Sequence, residues 1–113
     1  MHIDSYEFGR IVVDGRAYSQ DLILMPDGIQ DSWWRQQSHL LHVADIAGVL
    51  ATKPEVLIVG QGQPGKMQVD PSLVDYLKEN LIELMVMPTA QACTTFNALA
   101  GKRKVAAALH LTC

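Results

Sequence analysis

Residues 56–65 read VLIVGQGQPG. Val56 to Val59 form an unbroken apolar run that leads into Gly60, Gly62 and Gly65. Such a run marks a strand covered on both faces, as in a parallel sheet with helices on either side. The glycines have the G-x-G-x-x-G spacing of dinucleotide-binding folds, in which the loop passes directly into a helix whose N-terminus holds the pyrophosphate. Here Pro64 precedes Gly65, and no helix signal appears before Asp70-Pro71. Asp70 would also place a carboxylate where the phosphate should sit. The next strand ends Val86-Met87-Pro88 with no acid to hold a ribose, and Glu83 lies at the wrong end of it. The glycines are therefore read as a tight turn and loop, and no cofactor is expected.

Outward from this strand the pattern is regular on the C-terminal side. Asp70 as N-cap with Pro71 at the first helical position opens a helix whose apolar stripe is Leu73, Val74 and Leu77. Asn80, tolerant of a left-handed backbone, is its expected stop. Leu81 to Met87 is the next strand. Pro88-Thr89 opens a further helix, with Thr89 as expected N-cap, Ala92, Phe96 and Leu99 on one face, and Gly101 at its end. Val105 to Leu111 is the last strand. Upstream, Val43, Ile46, Ala47 and Leu50 predict a helix over about Leu41 to Ala51. Right-handed crossovers then make the three strands parallel.

The first third reads as β. Tyr6-Glu7-Phe8 and Ile11-Val12-Val13 flank Gly9, Asp14-Gly15 is a hairpin signal, and Ala17 to Met25 reads as one strand. Pro26-Asp27-Gly28 is a second turn, and Ile29 to Trp34 another extended piece. The predicted fold class is α/β in three layers: a central, largely parallel sheet, helices packed on it, and a small antiparallel β layer from the N-terminal third. At 113 residues the chain is expected to form a single domain over 1–113.

Bulk properties exclude several functions. A formal net charge of −3 gives no electrostatic reason to bind nucleic acid or anionic lipid. No apolar run approaches the roughly 20 residues of a membrane helix, so no membrane insertion is expected. Cys93 and Cys113 are the only cysteines and form no disulfide framework. The first ten residues carry Asp4 and Glu7 and no apolar h-region. The expected location is cytoplasmic.

A spaced signature near the end carries a resemblance. Thr89, Ala92, Thr95-Phe96-Asn97, Leu99, Arg103 and Val105 to Leu109, with the upstream Leu57-Ile58-Val59-Gly60-x-Gly62, resemble a family of small proteins known as a domain of unknown function. That family includes the adipogenesis-associated domain protein of animals and a mitochondrial factor that assists assembly of respiratory complex I. The resemblance covers nearly the whole chain and implies the three-layer fold just described, with no established reaction. Gln61 stands between the two glycines, where members of the family that the chain resembles usually carry a small hydroxyl residue.

Individual residues offer little catalytic chemistry. His39, His42 and Asp45 recur at three-residue steps but lack the further ligands and supporting groups of a metal site, and no metal is expected. Cys93 lies beside the Phe96 stripe and reads as a buried thiol. No nucleophile elbow, paired-carboxylate motif or phosphate loop is present, so no catalytic residue is assigned and an enzyme is not favoured. Trp33-Trp34-Arg35 is more telling. Neighbours on an extended strand point to opposite faces, so one indole enters the core and the other, expected to be Trp34, faces out. Tryptophan and arginine are enriched at binding hot spots. Trp33, Trp34, Arg35 and Arg103 are therefore the expected surface for a protein partner or for self-association. The function expected from sequence is a non-catalytic interaction or assembly-type module. The alternative is a small-molecule or anion-binding protein, or weak enzyme, with a pocket at the strand ends formed by Gly60, Gly62 and Thr89.

Overall fold

The computed structural model describes all 113 residues. Three short strands, β1 (Ile3–Glu7), β2 (Arg10–Val13) and β3 (Arg16–Tyr18), form an antiparallel meander. Asp14 and Gly15 turn between β2 and β3 with φ of 49° and 81°. Two consecutive positive φ values match the right-handed twist of the flanking strands. Next come β4 (Leu22–Met25) and β5 (Gly28–Gln30), the two-residue β6 (Leu40–Leu41), a 3₁₀ turn over Val43–Ile46, and α1 (Ala47–Ala51). Then follow β7 (Val56–Gly60), β8 (Gln68–Val69), α2 (Pro71–Glu79), β9 (Glu83–Met87), α3 (Thr89–Leu99) and β10 (Val105–Leu109).

The central sheet has the order β5-β4-β10-β7-β9. β9, β7 and β10 are parallel, while β4 and β5 run antiparallel as an added hairpin. β6 and β8 form a separate parallel pair. Alternation along the middle strands feeds two cores. Val56, Ile58, Ala107 and Leu109 face α3 and the meander, where they meet Phe96, Ala92, Ile11 and Val13. Leu57, Val59, Ala106 and Ala108 face α1 and α2, where they meet Val49, Leu73, Leu77 and Trp33. Every residue of β7 and β10 is buried, which is why both read as continuous apolar runs. Each large side chain so buried contributes about 1.5–3 kcal/mol relative to exposure.

The helix signals around Asp70 hold in detail. Asp70 has extended φ/ψ, its side chain accepts from the Ser72 N–H, and Pro71 starts the helix. Several local expectations differ. The extended piece expected over Ile29 to Trp34 ends at Gln30, and Ser32 turns the chain with φ of 54°. The stretch Ala17 to Met25 is two strands in two sheets, broken at Ser19-Gln20-Asp21. The helix expected over Leu41 to Ala51 is a 3₁₀ turn and one short α turn, because Leu40 and Leu41 pair with Gln68 and Val69. Asn80 closes α2 with φ of −96°, and the left-handed residue is the next one, Leu81, at φ 58°. Pro88, not Thr89, is the N-cap of α3.

The meander is tied to α3 by one side chain. Asn97 accepts from the Ile3 N–H at 2.8 Å and donates to the Ile3 carbonyl at 2.8 Å. Its carboxamide thus supplies one rung of the ladder that a neighbouring strand would otherwise provide. No helix of the structure is long and apolar enough to cross a membrane.

Candidate functional site

The break at Ser19-Gln20-Asp21 is where the chain passes from the meander to the central sheet. Leu22 pairs with Leu109, so Asp21, just before β4, adjoins His110, just after β10. Two polar residues at the ends of buried antiparallel strands thereby meet. His110 Nδ1 lies 2.8 Å from Asp21 Oδ2, and the Leu111 N–H donates to Oδ1 at 2.8 Å. Arg35 comes from the segment after β5 and donates from Nη1 to Asp21 Oδ2 at 2.8 Å. Its Nε and Nη2 donate to the Ser38 carbonyl at 3.2 and 2.9 Å.

The Arg35 side chain is only 4% exposed. A buried guanidinium is stable only when paired and hydrogen-bonded, and Asp21 with Ser38 meets that condition. Burial alone would raise the Asp21 carboxyl. The hydrogen bonds from His110, the Leu111 N–H and Arg35 outweigh it and hold the group below the usual carboxylate range. Nδ1 also lies 3.2 Å from Arg35 Nη2, which can only donate, but its shorter contact, 2.8 Å to the ionised Asp21 carboxylate, needs a proton between the two atoms. In the neutral ring that proton therefore sits on Nδ1, leaving the Nε2 lone pair bare. Nε2 is buried without a hydrogen-bond partner.

Trp33 and Trp34 do part, one buried and one exposed, although they lie beyond β5 in an irregular segment after Ser32 and not on a strand. Trp33 is buried, its indole N–H donates to the Asp45 carbonyl at 2.9 Å, and the Arg35 guanidinium lies 4.7 Å over its ring. Trp34 is 76% exposed. It stands at a cavity of about 480 Å³ whose lining also includes Arg35, Ser38, His39, His110 and Thr112. The His39 and His110 rings meet edge to face, 6.0 Å between centroids. The site is thus a charge-compensated polar floor beside one protruding indole.

The other expected residues are placed as follows. Gly60, Gly62 and Thr89 do come together, but against one another. The Thr89 N–H, foreseen as open to an anion, donates to the Gly62 carbonyl at 3.1 Å. Thr89 Oγ1 accepts from the Gly62 N–H at 2.8 Å and donates to the His110 carbonyl at 2.6 Å. Thr89 is fully buried, and the cavities of the structure are lined by other residues. A Cβ on Gly60 would meet Leu109 Cδ2 and Thr89 Oγ1, each at 2.9 Å; one on Gly62 would run into the Thr112 carbonyl. These glycines admit the close passage of α3 and the C-terminal segment. Arg35, expected at a partner surface, is instead an internal strut. Arg103 pairs with Glu83 within the chain at 3.0 Å.

His39 and His42 diverge because the strand Leu40–Leu41 lies between them. His39 packs on His110, while His42 lies near Asp45 and Asp70 at 3.7 and 3.6 Å. Burial pushes the Cys93 thiol up to about 12, the behaviour of an inert core cysteine. Sequence reasoning missed Asp21 and His110. The available signal was a polar residue abutting each of two fully apolar strands, and it becomes informative only once those strands are known to pair antiparallel.

Comparison with known proteins agrees with this fold. The chain is similar over its full length to a conserved hypothetical protein of Pyrococcus horikoshii, with 26% identity, a TM-score of 0.86 and 100% of both chains covered. It is similar to a Bartonella henselae protein described as an outer membrane protein, with 28% identity, a TM-score of 0.80, and 97% and 93% of the two chains covered. Among curated proteins it is 26% identical over 111 residues to the NADH dehydrogenase [ubiquinone] 1 alpha subcomplex assembly factor 3 of Xenopus tropicalis. That match takes in 96% of this chain and 59% of the frog protein, so the chain spans about three fifths of that relative's length. The family model described as protein of unknown function (DUF498/DUF598) matches residues 3–110. The fold, the signature around Thr89 to Leu109 and this match agree: the chain belongs to the DUF498/DUF598 family.

Proposed function

We propose that this chain is a non-catalytic protein-docking module whose contact residue is Trp34. The observation that carries the reading is the contrast within one tripeptide. Trp33 and Arg35 are locked into the fold, and the large apolar side chain between them is left 76% exposed. Rigid anchors on both sides reduce the entropy lost when an indole is buried by a partner. A tryptophan so held is the residue type that most often dominates binding energy. The assembly role named for the frog relative supports an interaction function of this kind. The test is affinity capture with the parent chain, Trp34→Ala and Tyr76→Ala, the last altering a half-exposed ring on α2. A partner recovered with the parent and Tyr76→Ala but lost with Trp34→Ala is expected. Equal recovery with all three sinks the proposal.

The cavity beside Trp34 favours a second reading, a small-molecule site. The polar lining, with His39, His110 and the compensated Asp21–Arg35 pair, suits a neutral, hydrogen-bonding ligand. Native mass spectrometry of the freshly purified chain discriminates. A co-purifying small molecule lost in His110→Phe favours it, and a bare mass with an intact Trp34-dependent complex removes it.

A further inference from the structure

β9 is an edge of the central sheet and is unlike the other edges. β5, at the opposite end, has only three residues. The outer side of β1 is engaged at Ile3 by the Asn97 carboxamide. β9 has five residues, Glu-Leu-Met-Val-Met, and pairs with β7 in an unbroken register from Val56↔Glu83 to Gly60↔Met87. It holds no proline, lysine or bulge, the devices that normally blunt an edge. None of its residues is fully buried, in contrast with β7 and β10.

The direction of its free hydrogen-bonding groups follows from the ladder. The Glu83 N–H donates to the Glu55 carbonyl, and the Gln61 N–H donates to the Met87 carbonyl. In a parallel pair one residue's N–H and C=O point the same way and the next residue's point the other way. Glu83, Met85 and Met87 therefore bond to β7, while Leu84 and Val86 present their N–H and C=O groups outward. Those two residues flank Met85 symmetrically.

We propose that β9 is a self-association edge, on which a second copy of this chain pairs antiparallel about a two-fold axis at Met85. In that register Leu84 of each copy faces Val86 of the other. The two pairs close four backbone hydrogen bonds and use every outward group of the strand. Met85 meets its own counterpart as a non-hydrogen-bonded pair, and Glu83 lies opposite Met87, so no like charges face each other. Glu83 is moreover neutralised by Arg103 of its own chain at 3.0 Å. The absence of facing like charges matters because two copies of a chain with net charge −3 repel. The flank beside Met87 is free of charge: Ala90, Gln91, Thr94 and Thr95 of α3 line the adjoining groove. An isologous contact of this kind closes on itself as a dimer and does not propagate into a fibre.

The experiment is sedimentation velocity of the full chain from low micromolar to near-millimolar concentration, joined to cysteine cross-linking in a Cys113→Ser background. A concentration-dependent dimer is expected. Val86→Pro removes an outward donor and no bond to β7, so it is expected to be monomeric with its far-UV circular dichroism melt retained. Met85→Cys is expected to cross-link to its copy on mild oxidation, because non-hydrogen-bonded partners lie about 4.5 Å apart at Cα. Val86→Cys is not, because its diagonal distance to its own counterpart is about 7–8 Å. A parent chain monomeric at the highest concentration overturns the proposal. So does a folded Val86→Pro that still dimerises, or cross-linking of Val86→Cys in place of Met85→Cys. Should Val86→Pro fail to fold, the cysteine pair decides alone.

Discussion

Gly62→Ala isolates what the glycine loop does. Gly62 has φ of 89°, a region that costs an L-residue about 1–2 kcal/mol. Its new Cβ would run into the Thr112 carbonyl and lie 2.7 Å from His110 Cδ2. Overpacking of this kind costs about 1–3 kcal/mol even after the surroundings yield. Yielding means moving the segment whose Thr112 carbonyl accepts from the Gln63 N–H at 3.0 Å, and disturbing the Gly62 N–H to Thr89 bond. Each buried bond so weakened costs about 0.5–1.5 kcal/mol. A total of about 3–8 kcal/mol is expected, a large share of the roughly 5–15 kcal/mol of an ordinary domain. Gly15→Ala is the control. Its φ of 81° is nearly the same, but nothing lies within 4 Å of the added carbon, so only the backbone cost of about 1–2 kcal/mol remains. Urea unfolding at neutral pH, followed by tryptophan fluorescence and far-UV circular dichroism, compares the two. Coincident midpoints would refute the packing argument and return the loop to the class of flexible ligand-binding glycines.

The two tryptophans are expected to part company: Trp33→Ala loses about 3–5 kcal/mol, as does Phe96→Ala, while Trp34→Ala stays within about 0.5 kcal/mol of the parent in the same melts. Asp21 gives the pH dependence. Its folded carboxyl is held below the unfolded value, so it contributes stability that is present above about pH 3.9 and is lost as pH falls through the lower folded value. Asp21→Asn should flatten that acid limb in urea midpoints measured from neutral pH downward. It should also lower stability at neutral pH by about 3–5 kcal/mol, because Arg35 is left buried without its counter-charge. Iodoacetamide at mildly alkaline pH is expected to label Cys113 alone in the folded chain and both cysteines in urea, read by mass spectrometry, since the Cys93 thiol is buried and pushed up to about 12.

The parallel half of the fold is legible because its signals are local. Four consecutive apolar residues before Gly60, and an aspartate followed by proline at positions 70 and 71, each specify a conformation within a few residues. The N-terminal third is less so. Ala17 to Met25 carries no breaker, and its division between two sheets depends on Asp21 accepting from His110 and Leu111, about ninety positions away. The site was half legible for the same reason. That one tryptophan of the pair is buried and the other exposed was legible, although the segment carrying them is irregular and not the extended strand expected there. Arg35 looked like a surface residue because a charge is buried only when its partner is present, and no local pattern announces a partner. The three-residue steps of His39, His42 and Asp45 say nothing of where these side chains go, because the two-residue strand between the histidines is set by pairing with Gln68 and Val69, not by its own periodicity.

The position of β10 bears on how the chain acquires its shape. This strand comes last in the chain yet lies in the middle of the sheet, with β4 on one side and β7 on the other. A nascent chain that stops before Val105 holds two halves of a sheet with no common neighbour: an antiparallel arm of β4 and β5, and a parallel pair of β7 and β9. Each would expose backbone groups and an apolar row that only residues 105–109 can cover. Until residues 105–109 are present the two arms stay apart, and the centre closes in a step of high sequence separation. Contacts of that range are slow to form. Truncation upstream of Val105 should therefore yield no partly native product.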